Sequence, residues 1–93
     1  MNQQKANTFM SLQEAFEQAS TESKQLPQRP SDEDMLKIYA LFKQATAGDV
    51  TGDRPGIFDF VAGAKYDAWA EQKGKSSDDA KQEYVDLINK LKG

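Results

Sequence analysis

The sequence predicts an all-α domain of four helices. Apolar residues recur at helical spacing in four separate segments, and three of these open on a serine suited to cap a helix. No stretch alternates apolar and polar residues as a half-buried strand does. Together these patterns call for helices packed on one another, with no sheet.

The first segment runs from Ser11 to about Lys24. Leu12, Ala15, Phe16 and Ala19 fall on one helical face, and Ser11 with Glu14 reads as a capping box. Pro27 and Pro30 end it, because proline restricts both its own backbone and the residue before it. The second segment has the clearest start. Ser31 is placed to cap it, and Asp32, Glu33 and Asp34 lie where the helix dipole favours negative charge. Met35, Leu36, Ile38, Tyr39, Leu41, Phe42 and Ala45 then make an apolar stripe wider than one buried face needs, and Gly48 is a natural stop.

Residues 49–59 form a long connection. Pro55-Gly56 suits the centre of a type II turn, with proline presetting φ and glycine taking a positive φ. Ile57, Phe58 and Phe60 predict that this connection packs on the body of the fold. A third helix is expected from about Phe60 to Lys73, closed by Gly74, with Ala62, Tyr66 and Trp69 on one face and Lys65 beside them. The fourth is expected from Ser76 or Ser77, with Asp78 and Asp79 in its first turn. Ala80, Tyr84, Leu87, Ile88 and Leu91 line one side, and Lys90 and Lys92 complement the dipole at its end.

Composition narrows the function. A chain of 93 residues supports one modest core. Its 38% hydrophobic and 29% charged residues suit a globular domain with a well-solvated surface. The absence of cysteine removes thiolate nucleophiles, disulfides and zinc–thiolate sites; the absence of histidine removes the commonest general base and metal ligand. A net charge of −3 argues against a nucleic-acid partner. No apolar run approaches a membrane span, and the polar N-terminus lacks a secretory signal. A reducing, cytoplasmic setting is expected.

Residue patterns for catalysis are weak. Ser11, Ser31, Ser76 and Ser77 all stand at helix starts, and the acids cluster there or on polar faces. No nucleotide-binding glycine pattern is present. Residues 49–53 briefly resemble the start of a calcium loop, but Arg54 and Phe60 occupy positions that would need glycine and glutamate. The second helix is more informative. Tyr39, Phe42 and Lys43 project from one side. One reading is a core aromatic pair with a lysine reaching to water; the other is a site where rings stack on a base and the ammonium grips a phosphate. Spacing alone favours the first, and Lys65 beside Tyr66 and Tyr84 in the fourth helix pose the same choice.

The run from Pro30 through Ser31-Asp32-Glu33-Asp34-Met35-Leu36-Lys37-Ile38-Tyr39 and Ala40-Leu41-Phe42-Lys43-Gln44-Ala45-Thr46-Ala47 to Gly48 resembles the signature of the acyl-CoA-binding protein family. The likeness continues through Arg54-Pro55-Gly56, Asp59-Phe60, Ala64-Lys65-Tyr66-Asp67-Ala68-Trp69 and Tyr84, and spans about Ser11 to Gly93. It implies a four-helix up-down-down-up bundle over residues 11–93, preceded by a mobile polar tail, residues 1–10. It implies non-enzymatic binding and carriage of long-chain fatty acyl-CoA thioesters by a cytoplasmic monomer, with no cofactor, no metal and no stable membrane insertion. By the same resemblance Lys43 and Lys65 would meet the 3′-phosphate, with the Tyr39 hydroxyl nearby. Tyr84 would contact the nucleoside and Phe42 would lie beside the adenine. Lys24, Met35 and Leu36 would make lesser contacts to head group and acyl chain. Phe42 lacks the hydroxyl of a tyrosine common at its position, Tyr66 stands where tryptophan is common, and Val61 and Gly63 stand where many members carry lysine. A helical protein–protein interaction module is the main rival reading, and a thioesterase or isomerase a weaker one.

Overall fold

The computed structural model describes residues 10–93, so the expected tail at residues 1–10 lies outside the described residues except for Met10. The described residues form four α-helices and no strand: α1 (Leu12–Glu22), α2 (Asp32–Ala47), α3 (Phe60–Ala70) and α4 (Ser77–Lys92). All three expected serine caps form. The Ser11 hydroxyl accepts from the Glu14 amide, while the Glu14 carboxylate accepts from the Ser11 amide, closing the capping box. That backbone bond, with help from the Ser11 hydroxyl, holds the Glu14 carboxyl below its ordinary pKa. Ser31 and Ser76 accept from the amides of Asp34 and Asp79. The Asp59 carboxylate caps α3 by accepting from the Ala62 amide at 3.3 Å, a role the sequence reading did not assign.

Cross-helix contacts fix the directions. Lys92 pairs with Glu22 at 3.1 Å, so α1 and α4 bring their C-terminal ends together and run parallel. The Ser77 hydroxyl, at the start of α4, donates to the Ala45 carbonyl near the end of α2 at 2.7 Å, so those two helices are antiparallel. Trp69 near the end of α3 donates its indole N–H to the Gly48 carbonyl just past α2 at 2.8 Å, so α2 and α3 are parallel. The result is the up-down-down-up arrangement. Helix α4 packs against both α1 and α2, and α3 packs chiefly on α2.

The core therefore lies where α1, α2 and α4 meet. Phe16, Ala19, Leu41, Ala45, Ala80, Tyr84 and Ile88 are buried together, flanked by Leu26, Ile38, Val85 and Leu87. Small alanines on three helices let the larger rings and branched chains interdigitate. The Phe16 ring meets Tyr84 edge-on at 5.0 Å and stacks on Phe42 at 5.6 Å.

A polar knot closes one end of the bundle. Gln44 is buried on α2; its amide group donates to Asp49 Oδ1 at 2.8 Å and to the Lys75 carbonyl at 2.9 Å. Asp49 Oδ1 also accepts from the Gly74 amide at 2.8 Å. These bonds, the Gly74 amide first, hold the Asp49 carboxyl below its ordinary pKa.

The connection between α2 and α3 departs from expectation twice. The turn is not centred on Pro55-Gly56: the Asp59 amide donates to the Gly56 carbonyl at 3.0 Å, which puts Ile57 and Phe58 at the corner. Gly56 has no positive φ, so the type II turn is not formed there. Nor do Ile57, Phe58 and Phe60 pack inward; all three are exposed. Ile57 and Phe58, as the central residues of that turn, point away from the chain they connect, and Phe60 opens α3 on its exposed side. Polar groups tie this loop down instead. The Arg54 guanidinium makes a two-point pair with Asp67, both bonds at 2.9 Å, and the Tyr66 hydroxyl donates to the Gly52 carbonyl at 3.0 Å. Gly63 leaves room for this, because a Cβ there would come within 3.0 Å of Arg54 Nη2. Helix α3 also ends earlier than expected, at Ala70; tight turns then lead to Gly74, whose φ of 90° closes the segment.

Candidate functional site

The parallel seam between α2 and α3 gathers four of the chemically distinctive side chains. Tyr39 and Lys43 sit one turn apart on α2, and Lys65 and Trp69 one turn apart on α3. The Lys65 ammonium lies 5.2 Å from the centre of the Tyr39 ring, and the Lys43 ammonium lies 4.9 Å from that of the Trp69 ring. The seam thus carries two cation–π rungs of opposite sense, each worth about 0.5–1 kcal/mol at an accessible site. Among the described residues neither ammonium has a carboxylate partner. Among the described residues the close ion pairs lie elsewhere: Arg29 with Asp32, Arg54 with Asp67, Lys75 with Glu83 and Lys92 with Glu22. Two cations one helical turn apart, held by ring faces and not by acids, form a place for an anion with several oxygens.

The same register continues toward the N-terminal ends of the two helices. One turn before Tyr39 stands Met35, and one turn before Lys65 stands Val61. Both are exposed. The seam is therefore cationic and aromatic at one end and apolar at the other, an arrangement matched to an amphiphile. Beside it, a groove of about 480 Å³ between α2 and α3 is lined by Leu36, Ala40, Ala64 and Ala68 and by charged side chains, Glu33, Lys37, Asp67 and Glu71 among them. A second groove, of about 410 Å³ between α1 and α4, includes none of the candidate residues.

The remaining candidates are placed differently. Phe42 is 36% exposed, with its ring stacked on Phe16 and tilted against Tyr84 at 6.0 Å. Tyr84 is only 2% exposed and belongs to the core. Leu36 is half-buried and lines the α2–α3 groove. Lys24 is exposed in the connection after α1, and no hydrogen bond or ion pair ties it to the seam.

Sequence reasoning passed over two residues that shape this site. Trp69 was grouped with the buried face of α3, yet it seats the Lys43 ammonium while its indole N–H anchors Gly48. Gln44 gave no signal beyond its place on α2, although its buried amide ties α2 to the segment after α3. Among the described residues no helix is long and apolar enough to cross a membrane.

Comparison with known proteins gives a consistent result. A family model described as "Acyl CoA binding protein" matches residues 13–88. The chain is 48% identical over 77 residues to the Caenorhabditis elegans Acyl-CoA-binding protein homolog 1, covering 83% of this chain and 90% of that protein. It is 41% identical over 80 residues to the Acyl-CoA-binding protein of Saccharomyces cerevisiae, covering 86% and 92%. Among solved structures, the crystal structure of Oryza sativa Acyl-CoA-Binding Protein 2 superposes with a TM-score of 0.83 at 44% identity, covering 87% of this chain and 90% of that one.

Proposed function

The chain belongs to the acyl-CoA-binding protein family, and from that premise we propose that it binds and carries long-chain fatty acyl-CoA thioesters without transforming them. The observation that carries the proposal is the α2–α3 seam, with two acid-free ammonium groups at one end and exposed apolar side chains at the other. In this reading Lys43 and Lys65 hold the 3′-phosphate and the Tyr39 hydroxyl adds a hydrogen bond. The adenine rests on the exposed part of Phe42, and Tyr84 reaches the nucleoside only through the edge of its ring and its hydroxyl. Met35 and Leu36 meet the acyl chain, and Lys24 makes a peripheral contact with the head group. Residues 11–93 are the binding domain, acting as a cytoplasmic monomer that buffers its ligand.

Magnitudes support a divided grip. A charge-assisted bond from lysine to phosphate contributes about 1.5–3 kcal/mol, and stacking of a base on an aromatic ring about 1–3 kcal/mol. Each acyl methylene removed from water adds about 0.8 kcal/mol, so a long chain contributes on the order of 10 kcal/mol before association costs. Neither end suffices alone. Titration calorimetry with free CoA and with a series of acyl-CoA esters tests this: affinity should rise steeply with chain length. Equal affinity for free CoA and palmitoyl-CoA overturns the reading.

A further inference from the structure

Four of the largest exposed apolar side chains stand within five consecutive residues: Ile57 at 72% exposure, Phe58 at 86%, Phe60 at 77% and Val61 at 69%. Clustered exposure of this kind marks an interaction surface, unlike apolar side chains scattered singly. We propose that this knob docks the protein on the interfacial region of a lipid bilayer, and that electrically neutral lipid suffices.

Shape favours a bilayer over a folded partner. Ile57 and Phe58 occupy the corner of a turn, and Phe60 and Val61 the first turn of α3, so the surface is convex. A convex apolar knob needs a cradle on a second protein, whereas lipid deforms around it. A second copy of the chain offers poor seats: the α1–α4 groove is edged by Gln18, Glu22, Asp86 and Lys92, and the α2–α3 groove by Glu33 and Glu71.

Charge points the same way. The only ionisable residue within the segment, Asp59, is engaged in capping α3, and neighbouring Arg54 is paired with Asp67. Lys65, the next cation along α3, lies a turn further in against Tyr39. The chain as a whole carries −3. Attraction to anionic lipid is thus absent from the driving force. The knob is also pre-formed, because the Arg54–Asp67 pair and the Tyr66 hydroxyl fix the loop that bears it, so little ordering opposes docking. Finally, the knob continues the apolar end of the α2–α3 seam through Val61 and Met35. This last argument rests on the ligand reading; the exposure, shape and charge do not.

Flotation of the full chain with phosphatidylcholine vesicles, with and without a phosphatidylserine fraction, tests the proposal. The protein should float with pure phosphatidylcholine, show little sensitivity to salt, and gain nothing from phosphatidylserine. Phe58→Ser and Phe60→Ser should each lower the partition coefficient about tenfold, the lower end of what burying one aromatic side chain supplies. Octanoyl-CoA, which stays in solution, should bind both variants as it binds the parent. The proposal is overturned if the parent remains with the lipid-free fraction, or if the variants float equally. It also fails if the variants only convert a dimer into a monomer, or if they lose octanoyl-CoA affinity by the same factor. Flotation intact with no octanoyl-CoA binding by the parent supports docking and sinks the ligand reading instead.

Discussion

Replacing Lys65 by alanine separates a lysine that supports the fold from one that holds a ligand. In the folded protein Lys65 is exposed, and its one distinctive contact is with the Tyr39 ring at 5.2 Å. That contact contributes about 0.5–1 kcal/mol, and alanine recovers part of it through its better helix propensity. The expected loss of stability is therefore under about 1 kcal/mol, a few degrees in Tm for a domain of this size. A phosphate held by the same ammonium is worth about 1.5–3 kcal/mol, so Kd for palmitoyl-CoA should rise about ten- to hundred-fold. Titration calorimetry on the parent, K65A, K43A and the double variant, with palmitoyl-CoA and its 3′-dephospho analogue, gives the numbers. Two lysines gripping one phosphate should lose less together than the sum of their separate losses. The analogue should bind the parent and K65A nearly alike. A K65A affinity within about twofold of the parent, or an equal loss for both ligands, refutes the assignment at any precision calorimetry reaches.

Other outcomes follow from the same structure. Trp69, the only tryptophan, carries the Lys43 ammonium over its ring, so ligand that draws Lys43 away should change its fluorescence, and K43A should abolish the response. Ile88→Ala empties a fully buried position between α1, α2 and α4 and should cost about 2–5 kcal/mol in urea unfolding. Acid should loosen the loop and the polar knot before it melts the core. The Asp49 and Asp67 carboxyls are held below their ordinary pKa, by the Gly74 amide and by Arg54 respectively. Their contribution is complete above the ordinary aspartate value of about 4 and is lost as pH falls through the lower folded values. Amide exchange at Gly74 and near Arg54, followed by NMR below that range, should accelerate while Ile88 stays protected.

Much of the fold could be read from local pattern. Ser11, Ser31 and Ser76 announced three helices because capping acts within four residues, and the apolar spacing in α2 and α4 reports directly which face is buried. The connection before α3 resisted the same treatment. Ile57, Phe58 and Phe60 looked like packing residues on composition, but their orientation is set by Arg54 reaching Asp67 and by Tyr66 reaching Gly52, contacts that no local window contains. The seam was half legible. The spacing of Tyr39 and Lys43 placed them on one side of α2, and family resemblance supplied Lys65. The crossed pairing with Lys65 and Trp69 depends on how two helices are juxtaposed, which spacing within either cannot express. Tyr84 shows the opposite limit, since the same helical spacing that marks a site residue also marks a core residue.

The polar knot at the end of α2 has a consequence for the seam that begins beside it. Two helices packed side by side can slip by one turn, about 5.4 Å, at modest cost in apolar contact. Slippage of α3 along α2 in one direction would set Lys43 opposite Lys65 and oppose two like charges; in the other it would set Tyr39 opposite Trp69 and strand both ammonium groups. Gln44 holding the Lys75 carbonyl and Asp49, and Trp69 holding the Gly48 carbonyl, admit only one alignment. These bonds act as an index pin. The Gln44 bonds touch neither rung, and Trp69 serves a rung with its ring and the alignment with its N–H, so which residue stands opposite which is decided partly by groups outside the seam.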